Sequence, residues 1–213
     1  MKKKSTWATS ILLPVLLTLI ISSCQKEITL PENQSAEVST VTASHNPVTR
    51  AYRDSFDTWY MFVPDIANGW DPTHPTPFLA WYPGGGDGNA THIGNAKTYF
   101  NQYVPFNPPL FSSVPAPVTQ FFSAPLAAAG FTGIPSSVST IVYDGKGNSV
   151  WFHQTGNSTI PAGPTRINFS GTADIIGGTG KFSGATGEVS LQGFFNPQDQ
   201  QDASFWQNGW IRY

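Results

Sequence analysis

The chain has 213 residues and a formal net charge of −2, with 11 basic against 13 acidic residues. Only 11% of it is charged, 14% is aromatic, and it holds 20 Gly, 18 Pro and one cysteine. So little charge leaves no basic patch for nucleic acid, and a lone cysteine excludes a disulfide framework and a cysteine-based metal site.

The first element in chain order is a leader. Lys2, Lys3 and Lys4 precede the apolar run 11–21, which is too short to span a membrane comfortably. Ile21, Ser22, Ser23 and Cys24 follow in the aliphatic–small–small–cysteine order of a lipobox. Residues 1–23 therefore read as a lipoprotein signal peptide. Cys24 reads as the first mature residue, carrying diacylglycerol and an N-acyl chain such as palmitate. Two or more chains make a lasting membrane anchor where one does not. With Cys24 given to lipid, the folded part has no thiol nucleophile. Taking Lys2, Lys3 and Lys4 from the 11 basic residues leaves 8 against 13 acidic ones, a net charge of −5. These features place the mature protein in a bacterial cell envelope, anchored by lipid to the outer membrane, with its facing left open.

Residues 24–49 are polar and aperiodic and read as a flexible tether. Such a segment has a root-mean-square reach of roughly 25–30 Å.

Residues 50–213 read as one domain. Glycine and proline cut it into short pieces, and the pieces alternate as strands do. Strands are expected at 55–63, 90–104, 165–176, 187–195 and 203–213, with a hairpin over 139–155 that turns at Asp144–Gly147. The 165–176 segment puts Ile167, Phe169, Ala173 and Ile175 on one face and Asn168, Ser170, Thr172 and Asp174 on the other. The next strand opposes Val189, Leu191 and Phe195 to Glu188, Ser190 and Gln192. Many short antiparallel strands, each with one apolar face, are satisfied by a closed barrel, which removes the edges. The expectation is all-β: a small antiparallel barrel of about eight strands. The Pro-rich segment 105–135 interrupts it as an irregular insertion, with a helix candidate only at 125–131.

Between the expected strands 165–176 and 187–195 lies a cluster of glycines, Gly177, Gly178, Gly180, Gly184 and Gly187, around Lys181. A Walker loop needs glycine where Ile175 stands and Ser or Thr where Phe182 stands. A dinucleotide fingerprint needs glycine at Ser183 and a following helix. The cluster instead reads as strand, turn, a short crossing with Phe182 turned inward, a second turn and a strand. In this form it resembles the glycine motif of the β-barrel family of allene oxide cyclase and dirigent proteins. The segment 88–94 looks like a Gly-x-x-Thr-His-Leu-Gly element of bacterial members, and 52–58 like their first strand. The resemblance covers roughly Tyr52 to Tyr213, apart from the Pro-rich insertion. It implies an eight-stranded antiparallel barrel with a central cavity, and carries over no catalytic residue.

Chemistry-bearing constellations are sparse. His92 and His153 fall on expected strands, without zinc-ligand spacing. No Gly-x-Ser-x-Gly elbow occurs. Asp174 and Glu188 are placed to face each other across the glycine turns as an acid pair. The stretches 71–77 and 84–89 resemble calcium loops in composition without fitting the twelve-residue ligand pattern. Trp151 shares a strand face with His153, and Trp206, Asn208 and Trp210 share a face of the last strand. The candidate ligand-binding residues are therefore His92, Trp151, His153, Trp206 and Trp210, with no metal and no cofactor expected. The function expected is non-catalytic binding of a small apolar ligand or a surface partner by a lipid-anchored barrel. A cyclase- or isomerase-type enzyme acting on an apolar substrate in the lumen stays open, as does a carbohydrate-binding surface module.

Overall fold

Alternating sequence becomes strand almost everywhere in the folded unit. The structure is a computed structural model in which residues 47–106 and 112–213 are described. The leader, Cys24 and the tether as far as residue 46 lie outside them. His45–Tyr213 is a compact unit by itself. Among the described residues the strands in chain order are β1 (Thr49–Tyr60), β2 (Val63–Pro64), β3 (Ala80–Trp81), β4 (Gly84–Ala90), β5 (Gly94–Phe100), β6 (Gln102–Val104), β7 (Val114–Pro115), β8 (Thr140–Tyr143), β9 (Ser149–Gly163), β10 (Arg166–Thr179), β11 (Thr186–Asn196) and β12 (Asp199–Arg212).

Eight of these strands close into a barrel in the order β1-β12-β11-β10-β9-β8-β5-β4. All neighbours are antiparallel, and β1 pairs with both β12 and β4. The remaining four short strands form a small sheet, β2-β3-β6-β7. The all-β barrel expected from the alternation is the fold. The faces expected on β10 and β11 are also those observed: Ala173, Ile175, Val189 and Leu191 are buried, while Asn168, Ser170, Thr172, Asp174, Glu188, Ser190 and Gln192 are exposed.

Two local expectations, for His92 and for the helix, are corrected, and a stretch without an assigned element proves to be a strand. The stretch 84–89, similar in composition to a calcium loop, is most of β4. Glycine has poor strand propensity, but here its missing Cβ is required. A Cβ on Gly86 would collide with the Asp57 carbonyl, and one on Gly88 with the Ser55 carbonyl. His92 lies in the Thr91–Ile93 turn between β4 and β5, and not on a strand. The chain reverses there between the paired residues Ala90 and Gly94, which demands left-handed backbone. His92 (φ 67°) and Gly94 (φ 87°) supply it. The helix α1 spans Thr119–Ala128, beginning ahead of the 125–131 candidate and carrying Pro125 inside it. Pro125 has no N–H to donate, and the nearby Phe122 departs from helical geometry (φ −118°, ψ 17°). The apolar face of α1, with Phe122 and Leu126, overrides that defect by packing on the outside of the barrel.

That packing buries the wall on both sides. Val118, Phe122, Leu126, Phe131 and Val138 cluster with Ile141 and Tyr143 of β8, flanked by Trp59, Tyr99 and Trp151. Tyr99 and Phe122 stack at 4.4 Å between ring centroids. All four residues of β8 are consequently buried. Inside the barrel a second cluster joins Tyr52, Phe56, Val150, Phe152, Ile175, Val189 and Ile211 to Phe182.

The glycine cluster forms the lid of that inner core. Gly177 and Gly178 end β10, Gly180 starts a 3-10 turn (Gly180–Phe182), and Gly187 lies in β11. Gly180 and Gly184 hold left-handed backbone (φ 60° and 72°). The Phe182 side chain turns fully inward, 4.8 Å from the Tyr213 ring between centroids. The glycines are backbone geometry that seats a plug. Two substitutions separate close approach from backbone sign. Gly86→Ala is expected to destabilise by about 3 kcal/mol, at the upper end for overpacking against fixed backbone. Gly184→Asn, which meets open space at a φ that Asn tolerates, is expected to cost less than about 1 kcal/mol. Urea unfolding of the two variants measures the difference.

Candidate functional site

The two ends of the barrel differ in what fills them. At one end, inward side chains are large: Tyr52, Phe152, Phe182, Ile175 and Ile211. Toward the other end, small inward residues, Thr58, Gly84, Thr140, Gly171, Gly193 and Ala203, alternate with large ones, Tyr60, Phe100, Phe169, Phe195 and Phe205. Space is left there, and the result is a cavity of about 420 Å³.

The cavity wall is mainly apolar. Phe100, Phe169, Leu191, Phe195 and Phe205 line its depth, and Tyr60, Phe62 and Tyr82 line its mouth. These mouth rings brace one another, Tyr60 against Phe195 and Phe62 against Tyr82, with centroids 5.4 Å and 5.6 Å apart. Pro75–Pro77 and Gln200 lie at the rim. The small sheet contributes Gln102 and Val104, and the Pro-rich segment contributes Ser112 and Ser113. The insertion thus serves both roles that a long loop can have here: part covers the wall, and part edges the cavity.

A polar seam runs down one side. Gln102 Nε2 donates to Gln154 Oε1, and Ser113 Oγ donates to Gln102 Oε1. Asn157 Nδ2 donates to Gln102 Oε1 at 2.9 Å and to Ser113 Oγ at 2.7 Å. Both donor positions of Asn157 are thereby engaged. Its Oδ1 is buried and has no hydrogen-bond partner among the described residues, and the same holds for Gln207 Oε1. Gln207 lies deepest along β12 of the lining residues, in register with Asp54 on β1 and Leu191 on β11.

Beneath it is a buried carboxyl. Asp54 points into the barrel, accepts from the Tyr52 hydroxyl at 3.0 Å, and accepts from the Gln207 backbone N–H at 3.0 Å. Burial pushes its pKa from 3.8 up to about 8, against the lowering effect of those two bonds. Burial, reinforced by Asp54, raises the Tyr52 hydroxyl well above its usual value. Burial likewise raises Tyr60 and Tyr82 at the mouth, so both are neutral hydroxyls.

None of the five candidate ligand-binding residues lines this cavity. His92 sits at the plugged end, where its Nε2 is 3.0 Å from the Ala51 carbonyl and its own carbonyl accepts from Lys181 Nζ. Trp151 and His153 point outward from β9. Trp151 packs under the outer cluster, and His153 Nδ1 lies 2.8 Å from the Ser137 carbonyl. Trp206 and Trp210 point outward from β12 and are 41% and 42% exposed. Asn208, between them, accepts from Arg53 Nε at 3.1 Å. Asp174 and Glu188 are direct cross-strand partners, but on the exposed outer face. In the stretch 71–77, Asp71 is engaged by Thr73 and His74 rather than left open.

The cavity residues escaped sequence reading because small inward residues give no motif. The sequence signal that existed was small inward residues, Thr58, Gly171, Gly193 and Ala203, set between the inward rings of Phe169, Phe195 and Phe205. No known protein family, curated protein or solved structure matches this chain.

The raised carboxyl sets a pH dependence. Unfolded Asp54 titrates near 3.8 and folded Asp54 near 8, so between these values unfolding releases a proton. Stability is expected to fall by about 1.4 kcal/mol per pH unit as pH rises through that window, and to level off above it. In Asp54→Asn this contribution to the slope disappears, as read by denaturant unfolding at pH 5, 6, 7 and 8.

Proposed function

We propose that the protein is a lipid-anchored barrel of the bacterial cell envelope that binds a small apolar ligand without catalysis. The observation that carries this reading is the cavity: about 420 Å³, walled by aromatic and aliphatic side chains, with a few polar groups set into it. Ligand sites have this size and this mixture, because apolar surface supplies affinity and a few fixed polar atoms supply orientation. The buried carboxyl below the floor belongs to the packed half and is not among the lining residues, which supports binding over catalysis. The eight-stranded closed barrel supports the resemblance to allene oxide cyclase and dirigent proteins, which implies such a lumen. The lipobox ending at Cys24 supports the anchor.

Native mass spectrometry of residues 45–213, isolated from the host without detergent, tests the binding. The unit suits the test because it contains every barrel strand and its own core. A stoichiometric extra mass lost on denaturation is expected. Ala203→Trp, which fills the upper cavity, is expected to abolish it while keeping a cooperative thermal transition. A bare chain from wild type, under conditions that preserve the fold, would sink this reading.

The anchor has its own test. Cys24→Ala in the full chain is expected to abolish incorporation of labelled palmitate and to move the protein from the membrane fraction to the soluble one. Unchanged fractionation would remove the lipid anchor from the proposal.

A further inference from the structure

The cavity and its rim share one chemical property. None of the described residues that line the cavity is Lys, Arg, His, Asp or Glu. The sequence of residues 107–111, outside the described part, holds no such side chain either. The tyrosines at the mouth supply no charge, because burial raises Tyr60 and Tyr82 above their ordinary value. A carboxylate or ammonium carried into this space sheds its water and meets no countercharge. Aromatic rings attract a cation, but that attraction returns less than the loss of hydration takes.

An amphiphile avoids this cost by leaving its charged head outside, so the rim decides whether such a molecule is accepted. The lining residues that are themselves exposed mark the rim: Pro75, Thr76, Pro77, Pro161, Pro197 and Gln200. None is charged, and the prolines have no N–H to offer an anion. Three ionisable side chains adjoin the lining residues in sequence: His74, Arg166 and Asp199. His74 Nδ1 lies 3.1 Å from the Asp71 carboxylate, which answers its charge. The Arg166 guanidinium lies over the Phe194 ring, 3.8 Å from its centroid, and its Nε donates to Asn168 Oδ1 at 2.9 Å. The negative charge of Asp199 reaches the mouth, where it adds to the effect of burial on Tyr60. A carboxylate head at the mouth therefore meets an opposing field, and the cation beside it is already engaged.

We infer that the cavity selects a ligand that is uncharged at both ends, a neutral lipid-like molecule such as an ester, alcohol or hydrocarbon, and excludes free fatty acids and alkyl amines. The cavity accommodates roughly 15–20 non-hydrogen atoms at the packing density of protein interiors. This inference rests on the cavity being the binding site and goes beyond it by naming the ligand class.

Three probes share a twelve-carbon chain and differ in charge: methyl dodecanoate, dodecanoate and dodecylammonium. Each is titrated, below its aggregation concentration and at pH 7, against N-phenyl-1-naphthylamine, an uncharged fluorescent dye, bound to residues 45–213. The ester is expected to compete at least tenfold better than either ion, a ratio that corresponds to about 1.4 kcal/mol. An ester also leaves water more readily than an ion, so the decisive reading is how the ester-to-dodecanoate ratio changes between variants, in which that difference cancels. Gln200→Arg sets a cation at the exposed rim and is expected to shrink the ratio by about threefold, in keeping with an exposed ion pair. Gln200→Lys serves the same comparison if the arginine variant does not melt cooperatively. Arg166→Gln is expected to leave the ratio unchanged. Binding of either ion as tight as that of the ester overturns the inference. So does a ratio that neither rim variant shrinks, or a loss of dodecanoate binding alone in Arg166→Gln, which would place a carboxylate head at the mouth. In each of these cases the cavity remains the site. If neither the dye nor any probe binds the folded protein, the binding reading itself fails.

Discussion

The structure depends on one seam. β1 must pair with β12 on one side and with β4 on the other, or the sheet stays open with two long edges. Four of the seven residues on the β4 side of that seam are glycine: Gly84, Gly85, Gly86 and Gly88. At Gly84, Gly86 and Gly88 the backbone lies so close to β1 carbonyls and to the Phe56 and Phe100 rings that no Cβ fits. Glycine is costly in an ordinary strand, since it gives up more chain entropy than other residues on folding. Closure outweighs that cost, because it satisfies every edge and lets the rings of β1 and β5 occupy the interior over the glycines.

The same economy of volume explains why a barrel of this size is solid at one end and hollow at the other. Tyr52, Phe152, Phe182, Ile175 and Ile211 pack into one buried cluster in one half. The glycine cluster matters here because it turns the chain sharply enough to push Phe182 into the lumen. Toward the mouth, Thr58, Thr140, Gly171, Gly193 and Ala203 leave unfilled space. The long connections, 61–83 and 101–139, both leave the barrel at this end, and their residues extend the wall upward. The cavity is therefore a consequence of side-chain size along eight strands and of where the loops were inserted.

Electrostatics follows the same division. Charge is kept on the outside, as in the Lys97–Asp87 pair at 2.6 Å and the cross-strand neighbours Asp174 and Glu188. Of the buried aspartates Asp54, Asp65 and Asp144, Asp54 lies inside the barrel, held by Tyr52 and the Gln207 N–H, and burial pushes its pKa up to about 8. A cavity lined by no charged side chain among the described residues disfavours any charged occupant before a specific contact is made.

Much of the fold was legible in the residues, because alternation with a period of two is a local property. The faces of β10 and β11, the Asp144–Gly147 hairpin and the rejection of a phosphate loop required only spacing and side-chain type. β4 was not legible: its four glycines carry no alternating side-chain signal until β1 is brought against them. His92 read as a strand residue because its left-handed turn exists only once Ala90 and Gly94 pair. The aromatic and imidazole side chains that drew notice at the level of sequence lie outside the barrel or at its plugged end. The cavity instead uses residues such as Thr58, Asn157 and Gln207, which are unremarkable alone. Local pattern by itself determined an all-β chain with alternating faces. Only tertiary structure decided which end of the barrel is hollow and which polar atoms are left unpaired there, because volume and hydrogen-bond satisfaction are sums over strands distant in sequence.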